Sequence, residues 1–388
     1  MRILAIETSC DETAISIIEE KGNGNKTPSF AVLANFTASQ ASLHAKYGGV
    51  FPMMAKREHA RQITSLMKVA LLEAKLLKEK ESKLSPEIIS QLKELFSHEQ
   101  GLAEEIITFF EKYQIPEIDF LAVTYGPGLE PTLWVGINFA KALSLVWNKP
   151  VMPINNMEGH IISSLISKNE SGYTITDISF PALALLISGG HTELVVIKNW
   201  FEYEIIGQTR DDAVGEAFDK VARILGLPYP GGPEISKKGT LGTPGHYPLP
   251  RPMLHDKNFD FSFSGLKTAV LYLVKKLGIL DDTKVKDIAR EFEEAVTEVL
   301  ISKTLKAREH FGAKTIVIGG GVSANTRIRE TLKKEVEKLS GVTLCIPEPA
   351  FTTDNALMIA ATALLRLQNK ILPSPNPQTI TAEGNLRL

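Results

Sequence analysis

The strongest constraint in this sequence is a unit that occurs twice: an apolar strand, a polar turn, and a second apolar strand. Ile3 to Glu7 and Ala14 to Ile18 flank Thr8-Ser9-Cys10-Asp11-Glu12-Thr13, while Ala182 to Ile187 and Thr192 to Ile197 flank Ser188-Gly189-Gly190-His191. Such runs, rich in Ile, Val and Leu, alternate along the chain with longer helical patterns, which is the signature of an α/β fold. A chain of 388 residues is too long for one undivided core. The echo of the unit near the start of each half therefore points to a duplicated domain with a cleft between the copies.

Composition excludes several alternatives. With 44% hydrophobic and 23% charged residues, the chain belongs to none of the disordered, collagen-like or membrane-spanning classes. A formal charge of −2 means that any nucleic acid must be met by a local patch or a partner, not by a global basic field. Two cysteines, Cys10 and Cys345, allow at most one bridge and fit a reducing compartment. The first turn reaches Asp11-Glu12 too soon for a signal peptide, and no apolar run approaches the roughly 20 residues of a spanning helix. A cytoplasmic protein with no membrane partner is expected.

Helices are expected over Thr132 to Trp147, Asp211 to Leu225 and Asn355 to Leu367. In the second, Val214, Phe218, Val221 and Leu225 share a face and Gly226 supplies the stop. A strand at Ile316 to Ile318 enters Gly319-Gly320-Gly321, with a helix from about Ser323. Lys78 to Lys112 carries 13 charged residues in 35 and two amphipathic patterns, so it reads as an inserted helical hairpin on the outside, without chemistry of its own. Ser85-Pro86 gives its first helix a cap and a first-turn proline.

Three Gly-rich turns follow hydrophobic strands: Gly126-Pro127-Gly128, Ser188-Gly189-Gly190 and Gly319-Gly320-Gly321. Glycine lets backbone N–H groups approach an anion, so the three together suggest a nucleotide-like ligand, although none fits the Walker A or Rossmann patterns. Asn156 and His160 stand one helical turn apart, a spacing at which two side chains can grip one metal; His160 is otherwise a core histidine. Asp354 reads as a helix N-cap or as a metal ligand, Asp11 as a turn residue, and Asp219 as a solvated carboxylate or a ribose contact. Cys10 has no evident base beside it and is not expected to act as a nucleophile. Asp211 and Asp212 read as complements to a helix dipole. Lys56, Arg57 and Arg61, and Arg327, Arg329, Lys333 and Lys334, are candidate phosphate contacts or solvated helix faces.

Taken in order, Glu7-Thr8-Ser9-Cys10-Asp11-Glu12-Thr13, Arg57-Glu58-His59, Met157-Glu158-Gly159-His160, Ser188-Gly189-Gly190-His191-Thr192, the Asp212 to Lys220 block, Tyr229-Pro230-Gly231-Gly232-Pro233, Phe261 to Lys267, Gly320 to Asn325 and Thr353-Asp354-Asn355 resemble the Gcp/Kae/TsaD family. Only the insert lies outside the resemblance. It implies an actin-like (ASKHA) duplicated fold, with one lobe over 1–150 that includes the insert at about 78–112, and a second over 151–388 whose last segment returns to the first. It implies transfer of a threonylcarbamoyl group from threonylcarbamoyl-AMP to N6 of the adenosine 3′ of the anticodon, in tRNAs that read codons beginning with A. Leu186, Ile187, Ser188, Gly189, Gly190, Asp219, Gly232 and Asn325 match the family's substrate-binding positions, and Asp11 its catalytic carboxylate. His160 and Asp354 match two ligands of one divalent metal ion per subunit, Fe²⁺ in the family. The third ligand is a histidine in the family and Asn156 here, which moves the expected preference away from Fe²⁺ and Zn²⁺ toward Mg²⁺ or Mn²⁺. Met53 and Met54 also replace a residue pair usual in the family. Implied partners are tRNA and TsaB-like and TsaE-like accessory proteins. The competing readings are a non-catalytic ASKHA scaffold and an actin-like sugar or acyl kinase.

Overall fold

The first apolar run and the one after its polar turn pair along their whole length, Ile3 with Ile18 through Glu7 with Ala14, so the turn at 8–11 is held at the end of a rigid ladder. The computed structural model describes residues 1–22, 27–99, 101–170 and 172–388. Its strands are β1 (Arg2–Glu7), β2 (Glu12–Glu20), β3 (Ser29–Ser39), β4 (Phe120–Gly126), β5 (Val151–Asn155), β6 (Ile166–Asn169), β7 (Gly172–Ile175), β8 (Ala182–Ile187), β9 (Thr192–Asn199), β10 (Glu202–Gln208), β11 (Thr315–Gly319) and β12 (Thr343–Cys345). Its helices are α1 (Ala41–Ala45), α2 (Pro52–Glu73), α3 (Pro86–Leu95), α4 (Leu102–Lys112), α5 (Glu130–Trp147), α6 (Asn156–Ser163), α7 (Val214–Ile224), α8 (Gly231–Gly239), α9 (Ser264–Leu277), α10 (Asp282–Phe311), α11 (Thr326–Val336) and α12 (Ala356–Gln368). None of the described helices is long and apolar enough to cross a membrane.

The elements form two units. One comprises Met1–Gln40, Val50–Thr176 and Asp354–Leu388, the other Ala41–Gly49 and Asp177–Thr353. The first holds the sheet β5-β4-β1-β2-β3-β7-β6, the second β10-β9-β8-β11-β12. In each, a first strand pairs antiparallel with its hairpin partner on one side and parallel with a later strand on the other: β1 with β2 and β4, β8 with β9 and β11. The repeat suspected from the two hairpins is thus a repeat of topology, a two-unit α/β duplication. The division differs from a boundary at 150, because β5 extends the first sheet beside β4 and α6 and α12 pack together in the first unit.

Charged flanks made 78–112 read as an external appendage, but its apolar faces belong to the core. Leu92, Phe96, Leu102, Ile106, Phe109 and Phe110 are buried in one cluster with Ile63, Met67 and Leu71 of α2. The Phe110 ring meets Trp147 edge-on, with centroids 6.2 Å apart. Each such side chain contributes about 1.5–3 kcal/mol by leaving water, too much for a dispensable ornament.

Two helix starts also differ from the sequence reading. The helix expected from Asp211 begins at Val214, and Asp211 turns away to serve α9 instead. Its carboxylate accepts from Phe263 N (2.8 Å), Ser264 N (3.1 Å), Ser262 Oγ (2.5 Å) and Ser264 Oγ (2.8 Å). Asp212 pairs with Lys220 at 2.7 Å. At α12 the cap is Asn355, whose Oδ1 accepts from Met358 N at 3.0 Å, which leaves the Asp354 carboxylate free for other work.

Two measurements check this account. Burial opposes the charge on Asp211, but its four donors outweigh it and hold the carboxyl below its usual range. A depressed carboxyl stabilises the fold above its unfolded pKa and loses that contribution as pH falls. Asp211→Ala should therefore cost about 1–2 kcal/mol in denaturant unfolding at pH 7, and the gap should close below about pH 4. Phe110→Ala should cost about 3–5 kcal/mol, against near zero if the hairpin were only an appendage.

Candidate functional site

In the first unit, Asn155 ends β5 and caps α6: its Oδ1 accepts from Met157 N (2.8 Å) and Glu158 N (3.3 Å). This starts the helix at the sheet edge and points Asn156 and His160, one turn apart, into a buried space. His160 Nε2 lies 3.1 Å from Asp354 Oδ1. The Asn156 amide donates to that same oxygen at 3.1 Å, to Ser9 Oγ at 3.1 Å and to Glu7 Oε2 at 3.3 Å. Gly159 lets α12 come this close, since a Cβ there would sit 3.1 Å from Met358 Cγ. Behind the cluster, Glu158 and Arg366 form a two-bond ion pair at 2.5 and 3.0 Å.

The electrostatics follow from two buried carboxylates at close quarters. Burial and the neighbouring Asp354 charge push Glu7 up to about 7, against hydrogen bonds from Ser9 and Thr124. Burial opposes the Asp354 charge as well, but hydrogen bonds from His160, Asn156 and Ser9 keep that carboxyl below the usual range. Asp11, 9% exposed, lies in the turn between β1 and β2. Gln40 N donates to its carbonyl at 3.0 Å. The buried His59 clamps the same turn, with Nε2 on the Cys10 carbonyl (3.0 Å) and Nδ1 on Thr13 Oγ1 (2.7 Å). A carbonyl only accepts, so Nε2 carries the proton and Nδ1 takes one from Thr13. Glu12 is hydrogen-bonded to Asp11 and pushed up to about 9 by burial and by the charges of Asp11 and Asp354, so it keeps its proton at neutral pH. Burial and the same carboxylates push the Cys10 thiol up, which disfavours the thiolate and agrees with a non-nucleophilic Cys10.

Donor chemistry tests the metal expectation. One imidazole, one carboxylate and one amide converge, and as placed the amide turns its NH₂ toward Asp354. No cluster of three His, Cys, Asp or Glu side chains able to hold a metal occurs among the described residues. An amide ligates through its oxygen, so the set suits Mg²⁺ or Mn²⁺ better than Fe²⁺ or Zn²⁺, for which a second imidazole is the usual partner.

In the second unit, the β8–β9 turn is closed by Ser188 N to the His191 carbonyl (2.9 Å) and His191 N to Ser188 Oγ (3.0 Å). Two glycines pack other elements against it. A Cβ on Gly215 would fall 2.6 Å from the Ser188 carbonyl oxygen, and one on Gly320, at φ +90°, 2.4 Å from that of Ile187. The start of α7 and the turn after β11 therefore both abut Ile187 to Gly189. Gly189 and Gly190 are exposed and Gly232 is partly so, and a Cβ on any of the three would meet nothing within 4 Å. Asp219 Oδ1 accepts from Gly231 N at 2.6 Å and so fixes the start of α8 beside Gly232. Asn325 Oδ1 caps α11 through Ile328 N (3.0 Å), while its amide donates to Glu293 Oε1 (2.8 Å). Leu186 and Ile187 are fully buried strand residues that lead into the turn.

The structure thus groups Asp11, Asn156, His160 and Asp354 in one unit and Ser188, Gly189, Gly190, Asp219, Gly232 and Asn325 in the other. Most of the basic candidates are already engaged: Lys56 pairs with Glu99 (3.0 Å), Arg61 with Glu58 (2.9 Å) and Arg327 with Glu294 (2.8 Å), and Arg329 donates to the Pro347 carbonyl (2.6 Å). Arg57, Lys333 and Lys334 are exposed. Sequence reasoning missed Glu7, His59 and Glu293, although the first two sit inside motifs already singled out.

The sequence matches the TsaD family, tRNA N6-adenosine threonylcarbamoyltransferase, over residues 31–83 and 96–361. The chain belongs to the TsaD family. Among its relatives, a tRNA N6-adenosine threonylcarbamoyltransferase of Kosmotoga olearia is 41% identical over 94% of this chain and 92% of that protein. The enzyme of the same name from Thermosipho africanus is 40% identical over 100% of both chains, and that of Ralstonia pickettii 39% over 95% and 92%. Among solved structures, full-length HypF in a phosphate- and nucleotide-bound form is 13% identical with a TM-score of 0.54, covering 95% of this chain and 47% of that one. That likeness concerns the fold, a two-unit α/β architecture of the actin-like ATPase kind. As a TsaD-family transferase the chain is an enzyme, not a scaffold or a kinase. The internal stretch that the family match skips, 84–95, is α3 and the residues just before it, so α4 lies within the family's own extent.

Asn156 allows a direct test of the cluster. Asn156→His supplies the second imidazole beside His160 and Asp354, and should tighten Zn²⁺ binding by roughly 10- to 100-fold in calorimetric titration. Equal affinities would show that residue 156 does not reach the ion.

Proposed function

We propose that this chain transfers the threonylcarbamoyl group of threonylcarbamoyl-AMP to N6 of the adenosine just 3′ of the anticodon, in tRNAs reading codons that begin with A. The match to enzymes of that name over essentially the whole chain carries the reading. In chemical terms the amine nitrogen attacks the carbamoyl carbon, the bond from that carbon to the phosphate oxygen breaks, AMP leaves with the electron pair, and the amine gives up a proton. An exocyclic amine is a weak nucleophile, so catalysis rests on positioning, proton removal and stabilisation of developing charge.

The residues divide these tasks. The exposed main chain of Gly189 and Gly190, with Ser188, Gly232, Asp219 and Asn325, binds the adenylate portion. Asp11, in a turn fixed by β1, β2 and the His59 clamp, accepts or orients the proton of the attacking amine; Glu12, already protonated, does not compete for it. His160 and Asp354, with Asn156, would hold a divalent cation, which when bound supplies positive charge for phosphate or carbamoyl oxygens. The same reading includes TsaB-like and TsaE-like accessory proteins and a cytoplasmic setting.

The test is mass spectrometry of tRNA nucleosides after incubation with threonine, bicarbonate, ATP, tRNA and the adenylate-forming and accessory proteins; absence of threonylcarbamoyladenosine with active partners would reject the reading. In that assay Asp11→Asn should lower turnover roughly 10²- to 10⁴-fold while AMP binding stays within about threefold. Turnover within about threefold of wild type would remove Asp11 from the mechanism.

A further inference from the structure

Glu293 lies in the middle of α10, far in sequence from every motif, and is 1% exposed. Burying a carboxylate is costly, and here burial pushes its pKa up despite the hydrogen bonds it accepts. A side chain kept on such terms needs a compensating role, and its partners supply one. Oε1 accepts from the Asn325 amide at 2.8 Å, and a second hydrogen bond joins Glu293 to Ser236 of α8. Ser236 follows Gly232 by one helical turn, and the start of that helix is held by Asp219. One carboxylate therefore ties together α8, α10 and the turn leading into α11.

The hydrogen-bond arithmetic at Asn325 is restrictive. Its Oδ1 is taken by Ile328 N at 3.0 Å. A carboxylate can only accept, so the amide must turn NH₂ toward Glu293; flipping it would set oxygen against oxygen and leave the helix cap unmade. One amide N–H then remains. We infer that Glu293 is a positioning residue of the adenylate site: it locks Asn325 so that the remaining amide N–H is offered to a hydrogen-bond acceptor on the nucleotide, and it couples that donor to the α8 start beside Gly232. This rests on the adenylate-binding reading proposed for Asn325 and Gly232.

Calorimetric titration with AMP separates the two layers, using the wild type, Asn325→Ala, Glu293→Ala, Glu293→Gln and the double Ala variant, each checked for cooperative unfolding. Glu293→Ala should weaken AMP binding by about tenfold or more, as expected when a hydrogen bond to a charged group is lost. Glu293→Gln, whose oxygen still accepts, should stay within about threefold of wild type. The double variant should lose clearly less than the sum of the two single losses, since Glu293 acts chiefly through Asn325; a merely structural role would give additive losses. If Glu293→Ala does not fold, Glu293→Met fills the space without accepting, and the same loss is expected of it. Wild-type affinity in the truncated variant alongside loss in Asn325→Ala, or additive losses, would overturn the positioning role. Absence of AMP binding in the wild type, or indifference to Asn325→Ala, would instead overturn the adenylate-site reading beneath it.

Discussion

Two carboxylates, Glu7 and Asp354, share one buried donor in the first unit, the Asn156 amide, and the cost of holding like charges together governs what surrounds them. Asp354 is kept ionised by His160, Asn156 and Ser9, so Glu7 is the member driven up toward neutrality. The arrangement demands that β1, β4, α6 and the residue before the α12 cap deliver side chains to one point from opposite ends of the chain, Glu7 at one and Asp354 at the other. Gly159, the Asn155 and Asn355 caps and the Glu158–Arg366 pair all serve that convergence. Asn156 puts a neutral donor one turn from His160, and two acidic groups share it.

The second unit solves a different problem with the same topology. Its turns are packed main chain against main chain, so geometry is set by where backbones can approach rather than by charge. Gly215 and Gly320 make that approach possible. Asp219 and Glu293 act one layer back, each spending a carboxylate on backbone or amide donors. Duplication has thus given one copy an acidic cluster and the other a set of backbone-packed turns, from the same order of strands.

Much of this was legible in the chain. The two hairpins, α5, β5, the stop at Gly226 and the two helices of the hairpin follow from local periodicity and punctuation, which need no distant partner. The misreadings share a cause. Asp211 was assigned to the helix nearest in sequence, yet it serves one some fifty residues on; of the two readings offered for Asp354, the cap falls to Asn355, while Asp354 stands beside His160 and Asn156. The charge of 78–112 is genuine, but charge counts do not report what lies on the opposite face. Glu7, His59 and Glu293 act through partners 117, 46 and 32 residues away, a distance at which a single sequence carries no pairing signal.

The order of assembly follows from the way the units are threaded. Residues 177–353 are complete as a unit in chain order before Asp354–Leu388, the last part of the first unit, has been made. On the ribosome the second unit can fold while the first still lacks α12 and Asp354, a reversal of the usual N-terminal-first sequence. A nascent or prematurely terminated chain therefore holds Asn156 and His160 with no Asp354 to meet them. The cluster of Asn156, His160 and Asp354 comes into being only after residues 177–353 have been made.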